Sequence, residues 1–166
     1  MEFNWLVVFS TSLIPLLVGF VWYNPKVLGN AWMKAANMKQ EDMEGSNMGL
    51  IFGLTLLFGI FTAVATTQLV VHQSHYYSIL ADNKDMADPS SAIAQATNRF
   101  MAENGSNFRT FKHGVLHGML MTIFLILPVI GINSLFERRS SKYVMIHVGY
   151  WLVTLGLMGG IISAFA

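Results

Sequence analysis

The sequence has no cysteine. Disulfides, thiolate metal ligands and thiol nucleophiles are therefore excluded. Charge is also scarce: 11% of the 166 residues are Asp, Glu, Lys or Arg, where a soluble domain carries about 25%. No acid, lysine or arginine lies in the apolar core of any long hydrophobic run, and that is where proton pumps and ion-coupled carriers place theirs. No paired carboxylates, nucleophile–base pair or phosphate-cradling loop is visible, so the chain reads as a non-enzyme. No internal repeat is visible, which leaves an inverted-repeat transporter without support. A net charge of +1 gives no basic surface for nucleic acid.

What is present is apolar. Hydrophobic residues make up 54% of the chain and mean hydropathy is +0.50. Four uncharged runs are long enough for membrane helices. The pattern predicts an all-α polytopic membrane protein, a single domain over 1–166, with spans at about 5–23, 47–75, 112–136 and 143–165. Met1-Glu2-Phe3-Asn4 carries only an acid, so the first run reads as a retained helix rather than a signal peptide. Pro15 and Pro128 should bend spans one and three. Trp22 and Tyr23 sit where an interfacial belt belongs. Val27, Leu28, Trp32, Met33 and Ala36 recur at helical spacing, as a short interfacial helix would. Ser46 is the expected cap of span two, which should run on past the bilayer to His75 and Tyr76.

Residues 77–110 form the one sizeable extramembrane segment. Asp88-Pro89 predicts a helix start and Asn104-Gly105 its stop, with Ile93, Ala96, Phe100 and Met101 as the apolar stripe. Small residues mark close-packing seams: Gly114 and Gly118 on span three, and Gly149, Gly156, Gly160 and Ser163 on span four. Gly114 and Gly118 are expected to let span two approach. These seams predict a homo-oligomer or a place in a larger membrane complex.

Lys26, Lys34, Lys39, Arg138, Arg139 and Lys142 fall in loops on one side; Lys84, Arg99, Arg109 and Lys112 fall on the other. The denser set belongs inside, placing both termini outside, in the periplasm of a bacterial cell. Arg138, Arg139 and Lys142 either set orientation or contact lipid phosphates or a partner's acidic loop.

Four histidines carry the remaining chemistry. His72 and His75 end span two; His113 and His117 begin span three, four apart and so on one helix face. Antiparallel pairing brings all four to one mouth of the bundle. Counting about 1.5 Å per residue from mid-span, His72 and His113 lie roughly 18 Å from the bilayer centre and His117 about 12 Å. His147 lies at the other end. The bland expectation is histidines bonded to backbone, loop or water, with no cofactor. The alternative is a transition-metal or haem site, since imidazole suits Zn, Cu and Fe.

Trp22-Tyr23-Asn24-Pro25-Lys26 and Gly29-Asn30-Ala31-Trp32-Met33-Lys34, with Leu116-His117-Gly118, Leu127-Pro128, Asn133, Phe136-Glu137-Arg138-Arg139 and Gly149-Tyr150, make a pattern over most of the chain. It resembles a family of small membrane proteins, common in bacteria, known as domain of unknown function 1761. The resemblance implies a four-span helical fold and no activity. On these grounds the first expectation is a structural or accessory membrane subunit. Metal or haem binding and a small-solute permease are the alternatives.

Overall fold

The computed structural model describes residues 4–166. It is 81% helical, without a strand among the described residues. In chain order the helices are α1 (Trp5–Trp22), α2 (Asn30–Ala36), α3 (Met48–Val70), α4 (Gln73–Ile79), α5 (Ala92–Asn104), α6 (Phe111–Phe136) and α7 (Ser141–Phe165). Four of them, α1, α3, α6 and α7, are long and apolar enough to cross a membrane. The chain is thus an all-α, multi-pass membrane protein.

The bundle is built around α7. Of its most apolar stretch 56% is buried within the protein, against 11% for α3 and α6. Leu155, Met158 and Ile162 are fully buried, and Val8 of α1 with Ala63 and Val70 of α3 close on them. In lipid, apolar burial gives little net drive, so close backbone approach and interhelical hydrogen bonds carry the association. Both are present. Gly114 and Gly118 of α6 lie directly against the Gly159 and Leu155 carbonyls of α7. The partner of this seam is therefore span four, not span two as the sequence pattern suggests: α7 offers Gly159 at the crossing, so backbone meets backbone there.

Each proline is answered locally. Ahead of Pro15, α1 tightens into a 3₁₀ turn at Thr11–Leu13, and the Thr11 and Ser12 hydroxyls donate back to the Val8 and Phe9 carbonyls at 2.6 Å. Tyr150 of α7 donates to the Pro15 carbonyl at 2.8 Å, and the Trp22 indole donates to the Ile146 carbonyl at 3.1 Å. Tyr150→Phe should cost about 1 kcal/mol of stability in a detergent unfolding titration, the net worth of one hydrogen bond. No change would place the α1–α7 contact in shape alone. Ahead of Pro128, α6 loosens into a π turn over Thr122–Ile126.

Three sequence expectations shift at the ends of elements. Span two does not run through to His75: α3 stops at Val70, and Val71 leaves the helical region with ψ 86. That break buries Val71 and turns Gln73 inward. The cap of α3 is Asn47, whose Oδ1 accepts from the Leu50 amide at 3.0 Å, rather than Ser46. The extramembrane helix starts at Ala92, not Pro89. Asp88 spends its carboxylate on the Ser90 amide and hydroxyl in a turn, leaving Ser91 to cap the Ala94 amide. The later start rotates the inward line to Ala94 and Thr97. Phe100 turns outward and stacks on Tyr76 at 4.7 Å.

Candidate functional site

The mouth of the bundle where α3 ends and α6 begins holds three histidines. Thr110 caps α6, its Oγ1 accepting from the His113 amide at 3.3 Å. The Phe111 ring lies on Gly160 of α7, where a Cβ would sit 2.6 Å from it. These contacts set the helical register, and four residues of α-helix (about 400°) return His117 to the side of His113. From the opposite wall, the break at Val71 swings His72 toward them.

One nitrogen from each of His72, His113 and His117 lies within 4.8 Å of the others. His72 Nε2 and His113 Nε2 are 2.8 Å apart. Ring centroids are 4.9 Å apart for His72–His113 and His72–His117, and 4.4 Å for His113–His117. Two imidazole nitrogens at 2.8 Å share either one proton or one cation; two bare lone pairs would repel. Burial, then the neighbouring His117 and His75, hold His72 below the ordinary histidine range, so its neutral, ligand-competent form is favoured. His75 stays out of the trio. Gln73 is the inward residue of α4, and two residues on, roughly 200° of helix, point His75 outward.

The loop before α6 is clamped from the end of α7. Ser163 Oγ donates to the Phe108 carbonyl at 3.2 Å. Arg109 Nε donates to the Ser163 carbonyl at 3.0 Å, and its Nη2 to the Ala166 carbonyl. A cation at the last carbonyls of a helix is favourably placed. The clamp holds Phe108 at φ 63, a left-handed conformation that costs a bulky residue of order 1 kcal/mol or more and clusters at functional sites. Phe108 lays its ring 5.1 Å from His113 and 6.1 Å from His72, forming an apolar lip over the trio.

The remaining sequence candidates fall elsewhere. Gly149 lies under the Trp22 ring, and Gly156 makes ordinary contact with Val115 and Met119. Gly160 seats Phe111, and Ser163 serves the loop clamp. The span-four seam is thus consumed inside one chain and no longer argues by itself for an oligomer. Arg138 and Lys142 are exposed. Arg139 is spent within the chain: it donates to the Ala36 carbonyl at 2.9 Å, meets Glu137 at 3.4 Å and lies over the Tyr143 ring. That ties the loop at 137–140 to the end of α2.

Sequence reasoning missed Gln73, Phe108 and the Tyr23–His147 pair. Tyr23 OH lies 3.0 Å from His147 Nδ1. Burial, with Tyr150 and Tyr143 beside it, raises the Tyr23 pKa, so the phenol stays protonated. Gln73 had a signal: an amide directly after a histidine at the end of an apolar run. Phe108 had none, since nothing local predicts a left-handed phenylalanine.

The model of a family described as Protein of unknown function (DUF1761) matches residues 6–163. No curated protein and no solved structure matches the chain.

Proposed function

Because the chain belongs to that family, whose description names no activity, we propose a function from the site itself: a multi-pass protein of the bacterial inner membrane that binds one divalent transition-metal ion through His72, His113 and His117 and catalyses no reaction of its own. The observation that carries this is the convergence of three imidazole nitrogens, from two elements about forty residues apart, within 4.8 Å. An all-imidazole set suits Zn, Cu or Ni and is poor for Mg or Ca. Ligands at 2.0–2.1 Å on a tetrahedral ion stand roughly 3.3–3.4 Å apart, so His72 and His113 need open by only about half an ångström from their 2.8 Å. A haem held between two histidines needs them on opposite faces of a macrocycle, and these rings leave no room for one.

The test is metal content. After chelation and reloading, the detergent-purified protein should hold one Zn²⁺ or Co²⁺ per chain. His117→Ala should weaken binding by ~100-fold or more, while His75→Ala and His147→Ala should leave it unchanged. A chain that binds no ion, or binds it equally well without His117, ends this reading.

An accessory role in a membrane assembly stands as the second reading. Gly53 on α3 and Gly131 on α6 have open space where a Cβ would sit, and such positions admit another helix, from a second copy or a larger complex. A permease is less favoured, because Leu155, Met158 and Ile162 fill the middle of the bundle.

The lysine and arginine distribution supports both termini and residues 77–110 facing the periplasm, with Arg138 and Lys142 at the cytoplasmic phosphates. The Arg139–Ala36 bond gathers two of the basic stretches at one end. A cysteine at Asn83 should label with an impermeant reagent from outside, and one at Ser140 should not. The reverse pattern inverts the topology.

A further inference from the structure

We propose, resting on the metal reading above, that the ion keeps one coordination position open to a small uncharged vestibule, where water exchanges with small monodentate anions, and that Gln73 biases the exchange toward water by accepting a hydrogen bond from it. The donor set points this way first. Among the described residues, the group that converges at this mouth is three histidines and no carboxylate, and His75 is turned away. Three protein ligands leave a four-coordinate ion one position for a non-protein ligand, the pattern of exchangeable rather than closed sites.

The space is there too. A cavity of about 310 Å³ begins at His72 itself and runs beneath α5, lined by Gln73, Tyr76, Asn104 and Asn107, with Phe108 as its lip. It holds several waters' worth of room and polar groups to bind them. Its lining holds no acid, lysine or arginine. The field in the vestibule is then that of the ion, which draws anions.

Gln73 supplies the independent observation. It is 8% exposed. Its Nε2 donates to the Asn107 carbonyl at 2.8 Å, which fixes the orientation of the amide, since only the NH₂ end can face a carbonyl. Its Oε1 is buried and has no partner. A buried amide oxygen without a donor is a standing cost, relieved when a donor arrives. Water on a metal ion is an unusually good donor, because the ion polarises its O–H bonds. Thiocyanate or azide in the same position brings no hydrogen and leaves Oε1 unsatisfied. Gln73 is thus a positioning residue that discriminates between occupants of the open position, not a ligand.

The experiment loads the full-length protein in detergent with Co²⁺ and follows its visible d–d bands during a thiocyanate titration. The expected result is a saturable spectral change in the wild type. Gln73→Leu removes the acceptor and should tighten thiocyanate binding by about fivefold, the weight of one net hydrogen bond, with Co²⁺ affinity held within about threefold. Gln73→Glu keeps the shape and places negative charge beside the ion, so it should weaken thiocyanate instead. A Co²⁺ spectrum indifferent to thiocyanate means a closed coordination sphere and overturns the proposal while leaving the metal reading intact. So does an unchanged thiocyanate affinity in either variant. Failure to bind Co²⁺ at all overturns both.

Discussion

Gly118→Ala should destabilise the bundle by about 3 kcal/mol or more, at the upper end of what overpacking costs. A Cβ there would fall on the Leu155 carbonyl and within 2.8 Å of the Gly156 amide nitrogen. These are backbone atoms of the central helix and no rotamer change clears them, so α6 must move off α7. Gly156→Ala is the control. It adds the same methyl group on the facing helix α7, but 3.7 Å from Val115 Cγ1 and 3.9 Å from Met119 Cγ, which is ordinary contact. There the alanine should be neutral or gain up to about 1 kcal/mol from helix propensity. Unfolding midpoints in mixed detergent, read by circular dichroism, should therefore fall for Gly118→Ala and hold or rise for Gly156→Ala. Equal stability of Gly118→Ala and wild type would mean the helices do not cross where the structure has them. Because α6 carries His113 and His117, the same substitution should also loosen the histidine site.

The four spans were legible because a lipid solvent demands long uncharged runs, and Val115–Phe136 advertises itself. The pairing of His113 with His117 was legible from helix periodicity alone. Their meeting with His72 followed from the topology, since two helices joined by one outer segment must present their ends on one side. Other features were hidden for definite physical reasons. The stop at Val70 has no proline or glycine to announce it; Val71 leaves the helix with its side chain buried and Gln73 turned toward Asn107. With that break went the inclusion of His75. The partner of Gly114 and Gly118 was hidden because a small-residue stripe tells which face is close-packed but not which helix fills it. Asp88-Pro89 lost the helix start to Ser91 because a carboxylate can cap a turn as readily as a helix. Tyr23 and His147 lie 124 positions apart, and no local pattern joins them.

Acidification should empty the metal site. Each histidine must be neutral to offer its lone pair, so protons and the ion compete for the same nitrogens. His72 lies outside the spanning segments, and burial, His117 and His75 hold its pKa below the ordinary value of 6.5. The direction matters. A depressed value means that His72 keeps its lone pair free to a lower pH than an ordinary histidine, so the loss of affinity through this ligand should set in below about 6.5. Below that, affinity should fall as protons displace the ion, by about tenfold per pH unit for each proton displaced once the nitrogens titrate. The metal-free protein should follow the same sign. The unfolded chain takes up a proton at about 6.5 while the folded one resists, so stability is fully present above that pH and declines as the pH falls below it. Competition titrations with a chromophoric chelator at a series of pH values measure the first effect, and unfolding midpoints of the metal-free protein measure the second. His72→Gln keeps a polar side chain but removes the basic nitrogen; it should reduce the acid loss of stability and weaken the ion together. Metal affinity that does not fall at any acid pH at which the protein stays folded would mean that the ion is not held by imidazole at all.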